Sequence, residues 1–495
     1  MYLKGKYKTE KEYEEVKNMF DVLIIGSGII GTTIVRELSK YNANILVLEK
    51  ENDFSCGTTK ANSGIVHAGF DAVPGTLKAK FNVLGAKMFP ELAKELEFPY
   101  KKNGAFVLSF TKEGLPNLEK LLERGKTNGV ENLSIITGDE VRSIEPNVST
   151  EVEYALYAKD SGIVSPYEMC IAFAENAVTN GVKFEFLKKV TNIINNKDYL
   201  TVECQDGSKY DSKVVINCAG VYSDEINNYV SKEKYKITAR KGEYCLLDKE
   251  FSYITKTTLF QLPTKMGKGI LVAPSTHSNI LVGPTALDIQ DKDDTDTSYF
   301  GLKEAWDKAL LTVPTLPKGG IITQFSGLRP HLDTDDYVIE FSKDVKGLYN
   351  CIGIESPGLA SSPAIAIYVA NEIKDYLNLS KKDNFISHRY AIKAIRNMND
   401  SELIAAINEN KDYGHVVCRC EVVSEAEIRE AIRRNPGAKD LDGVKRRVRA
   451  GMGRCQMGFC TPKIMQILHE ELNIPLEEIT KKGNGSNLLE GRIKE

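Results

Sequence analysis

The stretch Asp21-Val-Leu-Ile-Ile-Gly26-Ser-Gly28-Ile-Ile-Gly31 constrains this chain more than any other segment. An apolar strand runs directly into a glycine turn. A helix follows through about Lys40, and a second strand, Asn44 to Leu48, ends at Glu49. Gly26 makes the tight turn, Gly28 lets backbone approach a diphosphate, Gly31 lets the helix lie against the strand, and Glu49 can accept ribose hydroxyls. A bare glycine triplet can be a turn in an empty α/β unit. With strand, helix, second strand and acid at the expected separations, the pattern predicts a dinucleotide site.

Four cysteines mark the other end: Cys418-Arg-Cys420 and Cys455-Gln-Met-Gly-Phe-Cys460. Two short pairs brought together by the intervening fold can supply four thiolates, the soft ligands that zinc and iron select. Spacing alone leaves a tetrahedral zinc and a [2Fe-2S] cluster both open. The intervening segment reads as a small helical module. Ser424-Glu-Ala-Glu427 is a capping box opening a helix with Ile428, Ala431 and Ile432 on one face, and a second helix is expected after Asp442. Glycines in Arg449-Ala-Gly-Met-Gly-Arg-Cys455 permit the close backbone approach that amide-to-sulfur hydrogen bonds need. Thr461 is expected to cap a third helix, with Pro462 at its first position, so that its positive end lies beside the last ligand and suits an anionic cluster. The other six of the ten cysteines, Cys56, Cys170, Cys204, Cys218, Cys245 and Cys351, read as small buried residues in a reducing compartment.

The pattern C-x-C with R-x-G-M-G-x-C-Q-x-G-x-C resembles the bacterioferritin-associated-ferredoxin type of [2Fe-2S] domain, which implies an iron–sulfur cluster. Met457 departs from that pattern, because relatives often carry glycine there. The loop Cys56-Gly-Thr-Thr-Lys-Ala-Asn-Ser-Gly-Ile-Val-His67-Ala-Gly-Phe resembles the D-amino-acid oxidase superfamily, especially its glycerol-3-phosphate and L-2-hydroxyglutarate oxidising branches. Pro74-Gly-Thr-Leu-Lys-Ala-Lys80, Val214-Val-Ile-Asn-Cys-Ala-Gly220 with Asp224, Gly327-Leu-Arg329-Pro330 and Gly353-Ile-Glu-Ser-Pro-Gly358 agree with it. This resemblance implies FAD rather than NAD, held by Gly26, Gly28, Gly31, Glu49, Ser63, Gly220, Gly353, Ser356 and Gly358. It also implies a mixed α/β and α+β fold: a Rossmann-type FAD-binding domain (about 20–85, 150–230 and 325–385) interleaved with a mostly antiparallel substrate domain (about 86–150 and 231–324). Strand-like alternations at Tyr244 to Leu247, Gly269 to Val272 and Asn279 to Val282 fit that second sheet.

A chain of 495 residues with 42% hydrophobic residues can bury several cores, and a net charge of −3 gives no reason to invoke nucleic acid. The basic run Lys445-Arg-Arg-Val-Arg449 is expected to be a solvated helix face or a docking patch for an acidic redox partner. Residues 1–19 read as a polar extension in which Met19 is an alternative start, 391–414 as a connector with a helix at Ser401 to Asn408, 415–470 as the iron–sulfur module, and 471–495 as a tail. No segment has the length and apolarity of a membrane span. Reduced thiols and the absence of an export signal point to the cytoplasm, with the protein either free or docked peripherally to a membrane through a partner.

Oxidising a secondary alcohol beside a flavin needs a base for the hydroxyl proton. His67, in the loop expected to run beside the ring, is the candidate, and in the glycerol-phosphate branch a histidine of this motif has that role; a purely packing histidine is the alternative. A substrate anion needs fixed positive charge. Arg329 matches the family's substrate-facing arginine, Lys268 resembles the lysine of the glycerol-phosphate branch, and Arg240 with Lys241 could bind phosphate instead. The expected function is a dehydrogenase resembling the large subunits of anaerobic glycerol-3-phosphate dehydrogenases. It would convert sn-glycerol 3-phosphate to dihydroxyacetone phosphate and pass electrons through the cluster to a redox protein or quinone-linked partner. Alternatives are a 2-hydroxy acid such as L-2-hydroxyglutarate, an amine, or an accessory electron-transfer subunit without substrate.

Overall fold

The computed structural model describes residues 19–262 and 269–491. The opening strand Phe20–Ile25, all apolar after Asp21, is the centre of an eight-stranded sheet. It pairs in parallel with Ile45–Leu48 on one side and with Lys209–Asn217 on the other. Such strands are apolar throughout because both faces are covered. The helix Ile29–Leu38 and the twenty-residue helix Gly358–Leu377 pack together on one face. The long strand Lys209–Asn217 changes neighbours along its length. Its first residues pair antiparallel with Leu200–Cys204, and Val215 to Asn217 pair in parallel with Leu348–Ile352.

A second sheet of nine strands is antiparallel except where Thr258–Gln261 runs parallel to Ala105–Ser109. Its longest ladder joins Ile237–Leu247 to Ile321–Leu332, with Arg240 opposite Arg329. Leu271–Pro274 and Ile280–Gly283 supply the two other strands expected from alternation. Two segments expected in the flavin-binding stretches fall in this sheet instead: Tyr154–Ala158, between Ala105–Ser109 and Leu133–Thr137, and Phe325 to Leu332, the later part of Ile321–Leu332. The reason is pairing: the backbone groups of Ile321–Leu332 find their ladder along Ile237–Leu247 and nowhere in the first sheet.

The C-terminal module is a short hairpin, Val416–Cys418 with Val423–Ser424, and three helices, Glu425–Arg433, Leu441–Val448 and Thr461–Leu472, around a core that includes Ile428, Val444 and Ile464. Ser424 and Glu427 make both bonds of the expected capping box. The second helix starts earlier than expected because Asp440, not Asp442, caps it, accepting from Gly443 N at 2.6 Å. The third helix is capped by Cys460, which leaves Thr461 as the first helical residue with its hydroxyl donating to Met457 O at 2.6 Å. A helix Asp400–Glu409 lies in the connector. No helix among the described residues is long and apolar enough to cross a membrane.

Candidate active site and cluster site

At the C-terminal end of the opening strand, Gly26 takes φ +103°, and an added Cβ would lie 2.5 Å from Cys218 O. Gly31 allows the closest approach in the turn, since a Cβ there would lie 2.0 Å from Gly26 O. The helix Ile29–Leu38 therefore begins hard against the strand. Gly28 is its N-cap, with no side-chain cap and no acid in the first turn. Ile29 N donates to Thr59 Oγ1 at 3.0 Å, and the positive end of the helix favours an anion at this turn. Glu49 has a second task beyond the expected one. Its Oε2 accepts from Ser27 N (2.7 Å) and Ser27 Oγ (2.8 Å), and its Oε1 from Glu51 N (3.0 Å), so the acid pins the turn and keeps lone-pair capacity for a ribose. Burial raises its pKa against the lowering effect of those bonds.

One cavity of about 2120 Å³ starts at this turn and runs between the two sheets. That volume far exceeds the roughly 300–1,000 Å³ of ordinary small-ligand pockets and suits a dinucleotide with a substrate beyond it. Gly26, Gly28, Glu49, Ser63, Gly220, Ser356 and Gly358 line it. Gly31 and Gly353 do not. Gly353 instead serves the backbone, at φ +71° with Leu332 Cβ 2.8 Å from where its own Cβ would stand. A second uncapped helix N-terminus, that of Gly358–Leu377, also opens on the cavity.

His67 lies just beyond the short strand Ile65–Val66 and is 6% exposed, with its ring 5.1 Å from Phe260 and 5.8 Å from Phe70. Asn82, also buried, donates to the His67 carbonyl at 2.6 Å. Arg329 reaches the same cavity, with Nη2 donating to Thr285 O at 2.8 Å. Tyr244 lies beside Arg329 and Ser63 on the cavity wall, and burial raises its pKa. Arg240 lines the cavity but is committed to Asp288 through two bonds of 2.6 and 3.1 Å. Lys241 points elsewhere, to Asp294 at 2.6 Å. Lys268 lies outside the described residues. Lys78, quoted above only as part of a motif, holds Glu355 and Asp335 at 3.0 Å each, and Glu355 also meets His331 Nδ1 at 3.0 Å. This carboxylate pair with His331 is close enough for a metal, and the Lys78 ammonium already bridges both carboxylates.

The basic run is not a solvated face. Arg446, Arg447 and Arg449 are buried, because acids from distant parts of the chain meet them. Asp53 accepts from Arg446 Nη2 (2.6 Å) and from Arg447 Nη1 and Nη2 (2.7 and 2.8 Å). Arg449 donates to Glu421, to the Tyr167 hydroxyl and to Asn279, joining the module to both sheets' domains. Asp53 carries no local signal, because a lone aspartate in a polar loop has no distinguishing neighbourhood.

The four module cysteines are free thiols arranged as two pairs. Cys420 Sγ and Cys455 Sγ are 3.6 Å apart, and Cys418 Sγ accepts from the amide of Gly451 at 3.4 Å with Cys460 as its neighbouring thiol. A single tetrahedral zinc with ~2.3 Å bonds needs all four sulfurs mutually close. Two pairs match two irons with two thiolates each. Gln456 and Met457 both adopt positive φ, 45° and 75°, so methionine holds the left-handed conformation that glycine takes without strain.

Comparison with known proteins finds two family matches. Residues 21–372 match the family described as FAD dependent oxidoreductase, and residues 416–470 match the BFD-like [2Fe-2S] binding domain. A glycerol 3-phosphate dehydrogenase of Caloramator mitchellensis is 48% identical over 96% of this chain and 99% of its own length. An L-2-hydroxyglutarate dehydrogenase of Arabidopsis thaliana is 27% identical over 72% of this chain and 84% of its own. Among solved structures, the dithionite-reduced L-alpha-glycerophosphate oxidase of Mycoplasma pneumoniae with FAD bound superposes with a TM-score of 0.72 at 30% identity, covering 76% of this chain and all of that one.

Proposed function

The chain belongs to the family of FAD-dependent oxidoreductases and carries a BFD-like [2Fe-2S] domain, and from that premise we propose that it oxidises sn-glycerol 3-phosphate to dihydroxyacetone phosphate. One observation carries the reading: the cavity that begins at the dinucleotide turn also contains a buried histidine and an arginine with donors to spare. The relative that shares 48% identity along nearly the whole chain bears the same activity in its name. When bound, FAD supplies the acceptor for the hydride from the alcohol carbon, and the cluster supplies a one-electron exit to a partner protein or quinone-linked subunit.

His67 takes the hydroxyl proton on a ring nitrogen. Phe70 and Phe260 hold the imidazole and exclude water, and Asn82 fixes the backbone beneath it. Arg329 binds the phosphate. Its contact to Thr285 O uses one N–H and orients the fork, leaving others for the anion, whereas Arg240 and Lys78 are spent on carboxylates. Gly26, Gly28, Glu49, Ser63, Gly220, Ser356 and Gly358 hold FAD along the cavity wall, with Gly31 and Gly353 shaping the backbone behind it. Lys268 keeps its expected part as a further anion contact. Cys418, Cys420, Cys455 and Cys460 ligate the cluster. Ten free thiols suit a reducing compartment, and we place the enzyme in the cytoplasm.

The test is anaerobic bleaching of the bound flavin with glycerol 3-phosphate and L-2-hydroxyglutarate in parallel. Bleaching by the phosphate is expected. Bleaching by the dicarboxylate alone would move the enzyme to the hydroxy-acid branch, since a carboxylate also fits the Arg329 fork. Bleaching by neither would leave an accessory electron-transfer role.

A further inference from the structure

The dinucleotide cavity is not built by the flavin-binding fold alone. Lys445, Arg446 and Arg449 of the C-terminal module line it, and so do Lys481, Lys482 and Ser486 of the segment that follows. Their place along the cavity is fixed by Asn52. Its amide donates to Asp440 Oδ2 at 2.6 Å, and its side chain stands 3.1 Å from where a Cβ on Gly483 would lie. Asn52 is three residues beyond Glu49, within about 11 Å even in a fully extended chain. The module and its tail therefore stand at the end of the cavity where Glu49 awaits a ribose.

Charge at this seam is unbalanced. Lys445 feels Lys481, Arg446 and Lys60 as like charges, and Asp442, 3.6 Å from the Lys481 ammonium, is the acid among them. Asp53 is shared between Arg446 and Arg447, so positive charge is in surplus at the arginines as well as at the lysines that face the cavity. An anionic ligand completes such a site, and the diphosphate-bearing half of a dinucleotide has that chemistry. Asp53 meanwhile fastens the module in place through Arg446 and Arg447, all three side chains at most 5% exposed.

We propose that the C-terminal module is a fixed wall of the dinucleotide cavity, fastened by Asp53, and that Lys445 and Lys481 contribute to holding FAD. This rests on the FAD reading of the cavity and not on the identity of the substrate. A tethered carrier would leave cofactor binding to the first 390 residues. A fixed wall makes cofactor affinity depend on residues of the iron–sulfur module.

The experiment strips FAD from the full-length protein and titrates it back, following flavin fluorescence, for the wild type, Asp53→Asn, the double variant Lys445→Ala with Lys481→Ala, and Arg433→Ala as a surface control. Limited proteolysis of the connector, residues 391–414, is run beside each. The expected result is FAD affinity weaker by about 5–20-fold in the lysine variant, the size of one or two charge contacts, with the connector protected as in the wild type. Asp53→Asn weakens FAD and also exposes the connector, while Arg433→Ala changes neither. Wild-type affinity in the lysine variant would overturn the proposal, as would an Asp53→Asn protein with unchanged cleavage and unchanged affinity. Should Asp53→Asn fail to fold, the Lys445 and Lys481 variant carries the test alone. A wild type that takes up no FAD would overturn the cofactor reading itself, whatever the variants do.

Discussion

Replacing His67 by asparagine keeps a polar group of similar reach and removes the basic ring nitrogen. Flavin bleaching by glycerol 3-phosphate is then expected to slow by about 10²–10⁴-fold while FAD stays bound, measured by stopped-flow absorbance. Asp53→Asn leaves two buried guanidiniums without their counter-charge and is expected to cost about 3–5 kcal/mol, read by denaturant unfolding. Burial pushes the Asp53 carboxyl up, but Arg447 and Arg446 outweigh it and hold the group well below the usual carboxylate range. Its stabilisation is therefore full above the unfolded value of about 3.9 and is lost only as pH falls through the lower folded value. The stability gap between wild type and Asp53→Asn should stay level from pH 7 to about pH 4 and narrow below. His331 works in the opposite sense. The bond to Glu355 raises its pKa, so that pair's contribution is full below about 6.5 and disappears as pH rises through the raised value; His331→Gln should flatten that limb of the stability profile. That His67 and Arg329 line one cavity was legible because each sits in a motif whose neighbours are equally diagnostic. Asp53 was not, because its partners lie 393 and 394 residues away and no local pattern records them.

Backbone elements carry their own sharp tests. Gly31→Ala would place a methyl 2.0 Å from Gly26 O, lifting the helix Ile29–Leu38 off its strand, so FAD binding should be lost in a fluorescence titration even where the chain folds. Gly451→Ala would set a Cβ 2.1 Å from Met457 Cγ, in the turn whose amide donates to Cys418, and iron content should fall accordingly. The glycine turn and the Ser424 box were readable because their bonds are local, within a few residues. Helix starts near the cluster were misjudged by one or two residues. Asp440 and Asp442 are equivalent as caps on paper, and only the tertiary contact of Asp440 with Asn52 separates them. The same limit hid the true surroundings of Arg446, Arg447 and Arg449. A run of cations has one appearance in sequence whether it meets water or a buried acid.

At the scale of the molecule, the two catalytic tasks are separable. Cys420→Ser should lose iron, measured by metal analysis, yet still bleach its flavin with substrate, because His67, beside the short strand Ile65–Val66, and Arg329, on the nine-stranded sheet, are placed without help from the cluster ligands. Two sheets, one parallel at its centre and one mostly antiparallel, were expected from the nucleotide fingerprint, the alternating strands and the family resemblance. The seams between them were not readable, since Tyr154–Ala158 and Ile321–Leu332 choose their sheet by which neighbour completes their hydrogen bonds. The long reach of the Asp53 lock also has a consequence for how the protein is made. Synthesis proceeds from the N-terminus, and domains tend to fold in that order. Asp53 therefore leaves the ribosome hundreds of residues before the arginines that neutralise it. Until the module arrives, the carboxylate stays hydrated and its loop remains open to water. A segment translated hundreds of residues later closes the loop that carries Asp53, so a chain that stops before Arg446 leaves that carboxylate uncovered.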